Sequence, residues 1–525
     1  MSAGHLALVL HAHLPFVRHP EHEEFLEENW LFEAITETYI PLITMLERLR
    51  ADGVPFQLAM SLTPPLCAML GDELLQARYV RYLGRTIELA EREIARTREQ
   101  PPVQKLAHFY RDLLVETRRR YRDEWQCNLL AVFRRLRDAG GLEIIASAAT
   151  HAILPLLANS PEALRAQVLI GCDVYRETFG AQPTGFWLPE CAYSPALDHV
   201  LQEANLRWFI LDSHGLSLAE PRPRNSIYRP CFTAAGPAAF ARDPESSRQV
   251  WSAKTGYPGN AVYRDFYRDI GYDLPPDEAF WNSADRTPRF TGLKYHRVTG
   301  GEGKKEIYDR AAAVQMAEIH AQDFLEARRR QLSELRDLVH DPLIVMPFDA
   351  ELFGHWWYEG PKFLECLLRN AARFPHELKL TTPGEYLAGY STQQVVRPAS
   401  SSWGEGGYFG VWLNESNSWI YPHLAAAVTR MIESARSHGD SPAPLVERVL
   451  KQLARELLLA QASDWAFLIK TGTARQYAAK RTTDHITRFN RLHEQLQTDR
   501  VDEAFLSECE ARDNLFEHVD WRYFR

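Results

Sequence analysis

A chain of 525 residues, 45% hydrophobic and 25% charged, can bury a large core and has room for two or more domains. Its net charge of −9 argues against nucleic acid or an anionic membrane surface as the main partner, and suits a neutral polymer. Seven scattered cysteines, odd in number and without a C-x-x-C pair, indicate neither a disulfide framework nor a zinc ribbon.

The start, Met-Ser-Ala-Gly-His, has no basic region, and no apolar stretch approaches the ~18–20 residues needed to span a bilayer. A cytoplasmic protein is expected. Residues 5–11 read as a buried strand ending at His11-Ala-His13-Leu-Pro15. Leu31, Ala34, Ile35, Tyr39, Leu42, Leu46 and Leu49 have helical spacing over 30–50, and Gly53 follows as a stop. Residues 56–61 form a second strand. From 66 to 140 the chain is highly charged and helical, broken at Pro101-Pro102. Interspersed acids make this a solvated helical hairpin and not a nucleic-acid arm.

Further strands are expected at 142–147, ending in Thr150-His151, at 185–190, and at 206–212, ending in Asp212-Ser-His214. A Pro- and Gly-rich region over 216–300 is long enough to be functional. A helix over 305–338 leads to a sixth strand at 343–349, and a short seventh follows at 378–383. Strand then helix, seven times, with polar residues at the strand ends, predicts a parallel sheet with its site on one rim. Seven is one short of the common barrel, so either a strand hides in 216–300 or the barrel is incomplete. A Ser-rich linker over 393–402 precedes a Gly- and Trp-rich loop and three amphipathic helices over 422–496. Gly404–Gly410 lacks the Lys-Ser/Thr and the preceding strand of a phosphate loop.

Two stretches carry the chemistry. Gly185-Phe-Trp-Leu-Pro-Glu190 delivers a carboxylate at a strand end, and Leu343-Ile-Val-Met-Pro-Phe-Asp349 delivers a second, with Glu351 and His355 following among aromatics. Two carboxyls from different strand ends suit glycosidic cleavage, in which one is the acid and the other the nucleophile or base. Nearby aromatic rings suit the C–H faces of a sugar. Glu190 alone could instead cap the next helix. His11 and His13, two apart, could reach a metal with His151, His214 or Asp212, or bind sugar hydroxyls. His355 is a candidate donor or a packed histidine. Trp281, Trp403 and Trp412 lie in Gly-rich, polar surroundings that favour an open cleft over a core. Asp464 either reaches that cleft from the C-terminal helices or occupies a plain helix position.

The motifs His11-Ala-His-Leu-Pro15, Ala148-Ala-Thr-His151, Gly185-Phe-Trp-Leu-Pro-Glu190-Cys-Ala-Tyr193, Pro347-Phe-Asp349-Ala-Glu-Leu-Phe-Gly-His-Trp356 and Ser402-Trp-Gly-Glu-Gly-Gly407 resemble the five ordered regions of glycoside hydrolase family 57. They look most like its 1,4-α-glucan branching enzymes, over essentially the whole chain. The resemblance implies an α/β fold: an incomplete (β/α)7 barrel over 1–400 with a helical insert at 66–140, and a C-terminal helical bundle over 401–525. It implies retaining cleavage of α-1,4-glucan (amylose or glycogen) with transfer to form α-1,6 branches. No metal or other cofactor is expected, and a monomer is the expected state. Glu190 falls on the family nucleophile and Asp349 on the acid/base. His11, His13, His151 and Arg268 fall among substrate contacts, with Trp281, Trp403, Trp412 and Asp464 shaping the cleft. One departure stands out. The family's branching enzymes carry a loop tyrosine after the fifth strand, whereas Pro230–Arg242 offers Phe232 and Phe240, with Tyr228 just outside. An α-amylase-type hydrolase or 4-α-glucanotransferase on the same scaffold is the alternative. A metal-dependent deacetylase-like enzyme and a non-catalytic glycan-binding protein are the alternatives from other classes.

Overall fold

The structure, a computed structural model, describes residues 4–252, 255–274, 288–299 and 304–525. Its centre is β1 (His5–Ala12), buried along its whole length. Such a run is stable as a strand only with partners on both edges and cover on both faces, which is the environment of a parallel sheet. β2 (Leu58–Leu62), β3 (Leu142–Ser147), β4 (Gly185–Trp187) and β5 (Trp208–Leu211) extend the sheet on one side of it. A hairpin of β6 (Cys231–Phe232) and β7 (Ala238–Ala241) follows, and β8 (Leu343–Asp349) and β9 (Lys379–Leu380) both pair with β1. The order β7-β5-β4-β3-β2-β1-β8 is parallel throughout. A single bridge between Arg242 and Val345, with the Asp243 N–H donating to the Val345 carbonyl at 2.8 Å, joins β7 to β8. Seven strands thus curl into a ring whose one seam is nearly open.

Two strand expectations change. The strand hidden in 216–300 is β7, the sixth member of the ring in chain order. The strand expected at 378–383 is the two-residue β9, which pairs with β1 outside the ring order. Ala238-Ala-Phe-Ala241 carries too little apolar bulk to stand out in sequence, and Gly236-Pro237 before it reads as a turn. For the same reason Pro230–Arg242, expected as a loop, is a β-hairpin.

Side chains alternate along each strand. Ala7 and Val9, Ala59, Ile145, Trp187, Trp208 and Ile210, Ala238 and Phe240, and Leu343 and Val345 share one cluster filling the barrel interior. The larger core packs the other faces against the helices. Gly185 is required here, because a Cβ would lie 2.2 Å from the Trp208 ring. Continuing the two-residue step brings His11, Ser61, Ser147, Asp212, Arg242 and Asp349 to the C-terminal ends of the strands. The lining therefore turns from apolar to polar at one rim. Register confirms the level: His11 pairs with Ser61 on one side and Asp349 on the other.

The helix expected over 30–50 runs from Glu28 to Ala51 but widens to an i→i+5 turn over Ile35–Tyr39. Such turns gather at functional sites. Between β2 and β3, Glu73–Arg96 and Pro101–Arg118 form the helical hairpin that leaves the barrel. Beyond the linker, five helices replace the expected three: Ile420–Ser437, Pro444–Ala460, Ser463–Thr471, Arg475–Gln497 and Glu503–Arg512. A left-handed Gly472 ends the third and makes the chain turn back. Among the described residues no helix is long and apolar enough to cross a membrane, and all seven cysteines are free.

Candidate active site

Glu190 follows β4 directly. Pro189 ends the strand, and Glu190 and Cys191 then take left-handed backbone angles, φ 60° and 49°. For residues with a Cβ that is a strained conformation, which persists only where surrounding contacts impose it. The imposing segment is 401–403. It runs antiparallel beside the turn, with N–H groups of Tyr193 and Ser401 donating to each other's carbonyls at 2.8 and 3.1 Å, and that of Trp403 donating to the Glu190 carbonyl at 3.0 Å. The Trp403 indole Nε1–H then donates to Glu190 Oε2 at 2.6 Å. Trp412 lies beneath this loop, 1% exposed, against the face of Gly404, where a Cβ would meet its ring at 2.7 Å. Its role here is to support the loop in place of the cleft-lining one expected, because glycine lets the ring in and so hides a core position among polar residues.

Asp349 ends β8 on the same rim. Burial drives its pKa far above the carboxylate range, and Glu351 and Glu190 push the same way against Arg242. Glu190 is raised to about 7, first by burial and then by Asp464; the Trp403 hydrogen bond opposes this. Asp349 feels the charge of Glu190, which favours one proton over none on the two acids. Glu190 has an N–H donor that favours its anion, so the proton resides on Asp349. The pair is thus poised as one anion and one neutral acid, the combination glycosidic cleavage uses.

The histidines form a wall beside this pair. His11 Nδ1 lies 2.6 Å from Ser61 Oγ and its Nε2 3.0 Å from His151 Nε2, while its ring stacks on Trp187 with centroids 4.3 Å apart. A direct contact between two imidazole nitrogens requires one to donate and the other to accept. Burial depresses both pKa values well below the usual histidine range, first by desolvation and then by neighbouring histidines. His13 behaves oppositely: burial lowers its pKa, but Asp464, Glu351 and Glu190 outweigh that and raise it. Its Nε2 meets both oxygens of Asp464 at 3.1 and 3.2 Å, and its ring stacks on His151 at 3.8 Å. Asp464 therefore reaches the rim from the C-terminal helices. Ser463 joins it there, 2.9 Å from His151 Nδ1. His13, His151 and Asp464 place ligand atoms within 4.8 Å of one another and could hold a divalent ion. Doing so would require His13 to give up the proton its carboxylate partner stabilises.

Other expected residues lie elsewhere. Arg268 is half-exposed and pairs with Asp273 at 3.1 Å, so it is outside the group at the rim. Trp281 lies outside the described residues. His355 turns away to Glu37, with Nδ1–H donating to Oε2 at 2.7 Å, which is a packing role. Asp212 and His214 meet each other at 3.0 Å, and His214 Nε2 lies 2.8 Å from the Gly407 carbonyl, fastening the Trp403 loop.

Sequence reasoning gave no role to three groups now at the rim. Arg242 ends the strand that escaped detection. Tyr39 sits at an ordinary apolar helix position, yet its hydroxyl donates to Glu351 Oε1 at 2.5 Å. Glu351 also accepts from the His13 backbone N–H at 3.2 Å, and burial raises its pKa to about 7. The polar chemistry immediately after Asp349 was the available signal.

Trp403→Phe removes the hydrogen-bond donor that, among the described residues, favours the Glu190 anion. The pKa of Glu190 should then climb above about 7. The acidic limb of the kcat/KM profile should move to higher pH by about one unit. An unmoved limb in a pH series of initial rates would show that the indole N–H does not tune Glu190.

Comparison with known proteins follows the same geometry. Residues 7–398 match the model of glycosyl hydrolase family 57, and residues 423–524 match that of the 1,4-alpha-glucan branching enzyme C-terminal region. The solved structure of the alpha-amylase AmyC from Thermotoga maritima is 44% identical and superposes with a TM-score of 0.93, covering 99% of each chain. The branching enzyme TK1436 of Thermococcus kodakarensis is 35% identical, matching 98% of this chain and 78% of its own. The GH57-type branching enzyme structure from Pyrococcus horikoshii is 35% identical with a TM-score of 0.89, covering 99% of this chain and 97% of its own. The chain belongs to glycosyl hydrolase family 57.

Proposed function

We propose that this protein is a 1,4-α-glucan branching enzyme in which Glu190 is the nucleophile and Asp349 the acid/base. Glu190 attacks the anomeric carbon of an α-1,4-linked glucan as Asp349 gives its proton to the departing 4-oxygen, leaving a covalent glycosyl ester. Asp349, now ionised, takes the proton of a 6-hydroxyl on another chain. That oxygen attacks the ester, forms the α-1,6 bond and frees Glu190. Two inversions give net retention, and retaining glycosidases as a class hold their two carboxyls about 5–5.5 Å apart. His11, His13 and His151 hold substrate hydroxyls, and Trp403 offers a sugar-stacking face beside Glu190.

The observation that carries the choice of transfer over hydrolysis is the C-terminal region. It matches the branching-enzyme C-terminal model, and its Asp464 reaches His13 at the rim. A roof built from that bundle gives an acceptor chain a place to lie and restricts water. Hydrolysis is the second reading, favoured by the 44% identity to an α-amylase. Incubation with amylose separates them. Branching makes α-1,6 signals grow in the proton NMR spectrum while reducing ends stay nearly constant. Reducing ends that rise without α-1,6 signals would overturn it in favour of hydrolysis.

A further inference from the structure

A cavity of about 540 Å³ lies between the helical hairpin and the barrel, lined by none of the rim residues described above. Its volume is within the range of sites for small organic ligands. The insert helix Pro101–Arg118 forms one wall, and the starts of Arg310–Leu335 and Gly360–Ala371 form another. Five aromatic rings face this space: Tyr82, Phe109, Tyr110, Tyr308 and Tyr358.

At its base sits Glu359, 3% exposed. Its Oε1 accepts from the Tyr308 hydroxyl at 2.6 Å and from the Arg264 backbone N–H at 3.2 Å. Its Oε2 is buried and, among the described residues, has no hydrogen-bond partner. Arg264 covers the Tyr358 ring at 3.7 Å and donates from Nη2 to Glu37 at 2.8 Å, yet among the described residues its buried Nε–H also lacks a partner. Both atoms are buried, and leaving them unmet is costly.

The lining selects the class of ligand. Five basic and five acidic side chains border the cavity, so it holds no excess charge for an anion or a cation. Arg264 beside Glu359 further disfavours a cation. A neutral ligand remains, one carrying hydroxyls that both donate and accept and C–H faces that stack on tyrosines. That is the chemistry of a sugar chain. Resting on the reading of the protein as α-glucan-active, we propose that this cavity is a second α-1,4-glucan site, apart from the Glu190–Asp349 rim, which anchors the polymer while another part of it reacts. The two places are neighbours in the fold. Glu37 lines the cavity and accepts from His355, on the loop that follows Asp349.

Filling the cavity tests this. Val314 and Leu113 line opposite walls and are only half-buried, so Val314→Trp and Leu113→Trp each obstruct it from a different element, with circular dichroism to check folding. Both are made in a Glu190→Gln background and titrated calorimetrically with maltoheptaose. Each should bind one ligand fewer per chain than the background. In the otherwise unmodified enzyme, the same substitutions should leave kcat on maltoheptaose unchanged and raise the apparent KM for amylose about tenfold, the loss of a second anchor. An unchanged stoichiometry in both variants overturns the proposal, and so does equal occupation of the cavity by cellohexaose. Failure of the function reading looks different: the unmodified enzyme would then turn over no α-glucan at all.

Discussion

Glu190→Gln is expected to lower turnover of amylose by about 10⁴-fold or more while leaving the protein folded. Glutamine has the same shape, tolerates the left-handed backbone no worse, and its carbonyl oxygen can still accept from Trp403. What it lacks is the negative oxygen that must form the ester. Stability should move the other way. Glu190 titrates near 7 in the fold and near its ordinary value when unfolded. Between those values the folded state holds the extra proton. This group's contribution to stability therefore falls as pH rises through that window, and above about 7 the full penalty is present. Glutamine removes the penalty, so the variant should unfold at a higher temperature than the parent at pH 8, with the difference vanishing below about pH 4.5. The alanine variant distinguishes a nucleophile from a mere support. Azide entering the vacated space attacks from the same face and should yield a β-glycosyl azide. An α-glycosyl azide, or no rescue with Glu190→Gln still active, would reject the assignment.

The parts of this architecture legible in sequence were those in which one run of residues settles its own environment. β1 and β8 are apolar on both faces, and no surface element can be. Their ends stand out because His11 and Asp349 break those runs. β7 was not legible, since three alanines and one phenylalanine become a strand only through β5 on one side and β6 on the other, with Val345 bridging just beyond its end. Arg242 was lost with it. Trp412 was misjudged for a related reason: glycines around a tryptophan suggest openness, yet Gly404 serves here to let the ring pack. The bond from Asp464 to His13 joins residues 451 apart, a distance no periodicity spans; the sequence offers Asp464 at the cleft or in a plain helix position, without its partner. Tyr39 shows the limit most clearly. Helical spacing puts it in the core, where it is, but whether its hydroxyl meets a carbon or Glu351 depends on a turn widened by one residue.

Asp349→Asn should produce a loss whose size depends on the leaving group. The proton on Asp349 matters only when the departing oxygen is a poor leaving group, as the 4-oxygen of a glucan is. Turnover of amylose should fall by about 10²–10⁴-fold, the usual contribution of a positioned acid. A maltosyl fluoride needs no proton to depart, so its first step should survive nearly intact. The ester on Glu190 would then accumulate, because asparagine cannot deprotonate the acceptor, and mass spectrometry should find the peptide carrying Glu190 heavier by one glycosyl unit. The pH profile adds an independent reading. The alkaline limb of kcat/KM in the parent reports loss of the Asp349 proton, which burial, Glu351 and Glu190 defer to high pH; in the variant that limb should disappear while the acidic limb, belonging to Glu190, remains. Equal losses on amylose and on the fluoride would mean that Asp349 acts by position or charge and not by giving up a proton. Asp349→Asn with an unchanged alkaline limb would transfer the acid's role to Glu351, the rim carboxyl two residues on, which burial raises to about 7 and the Tyr39 hydroxyl opposes.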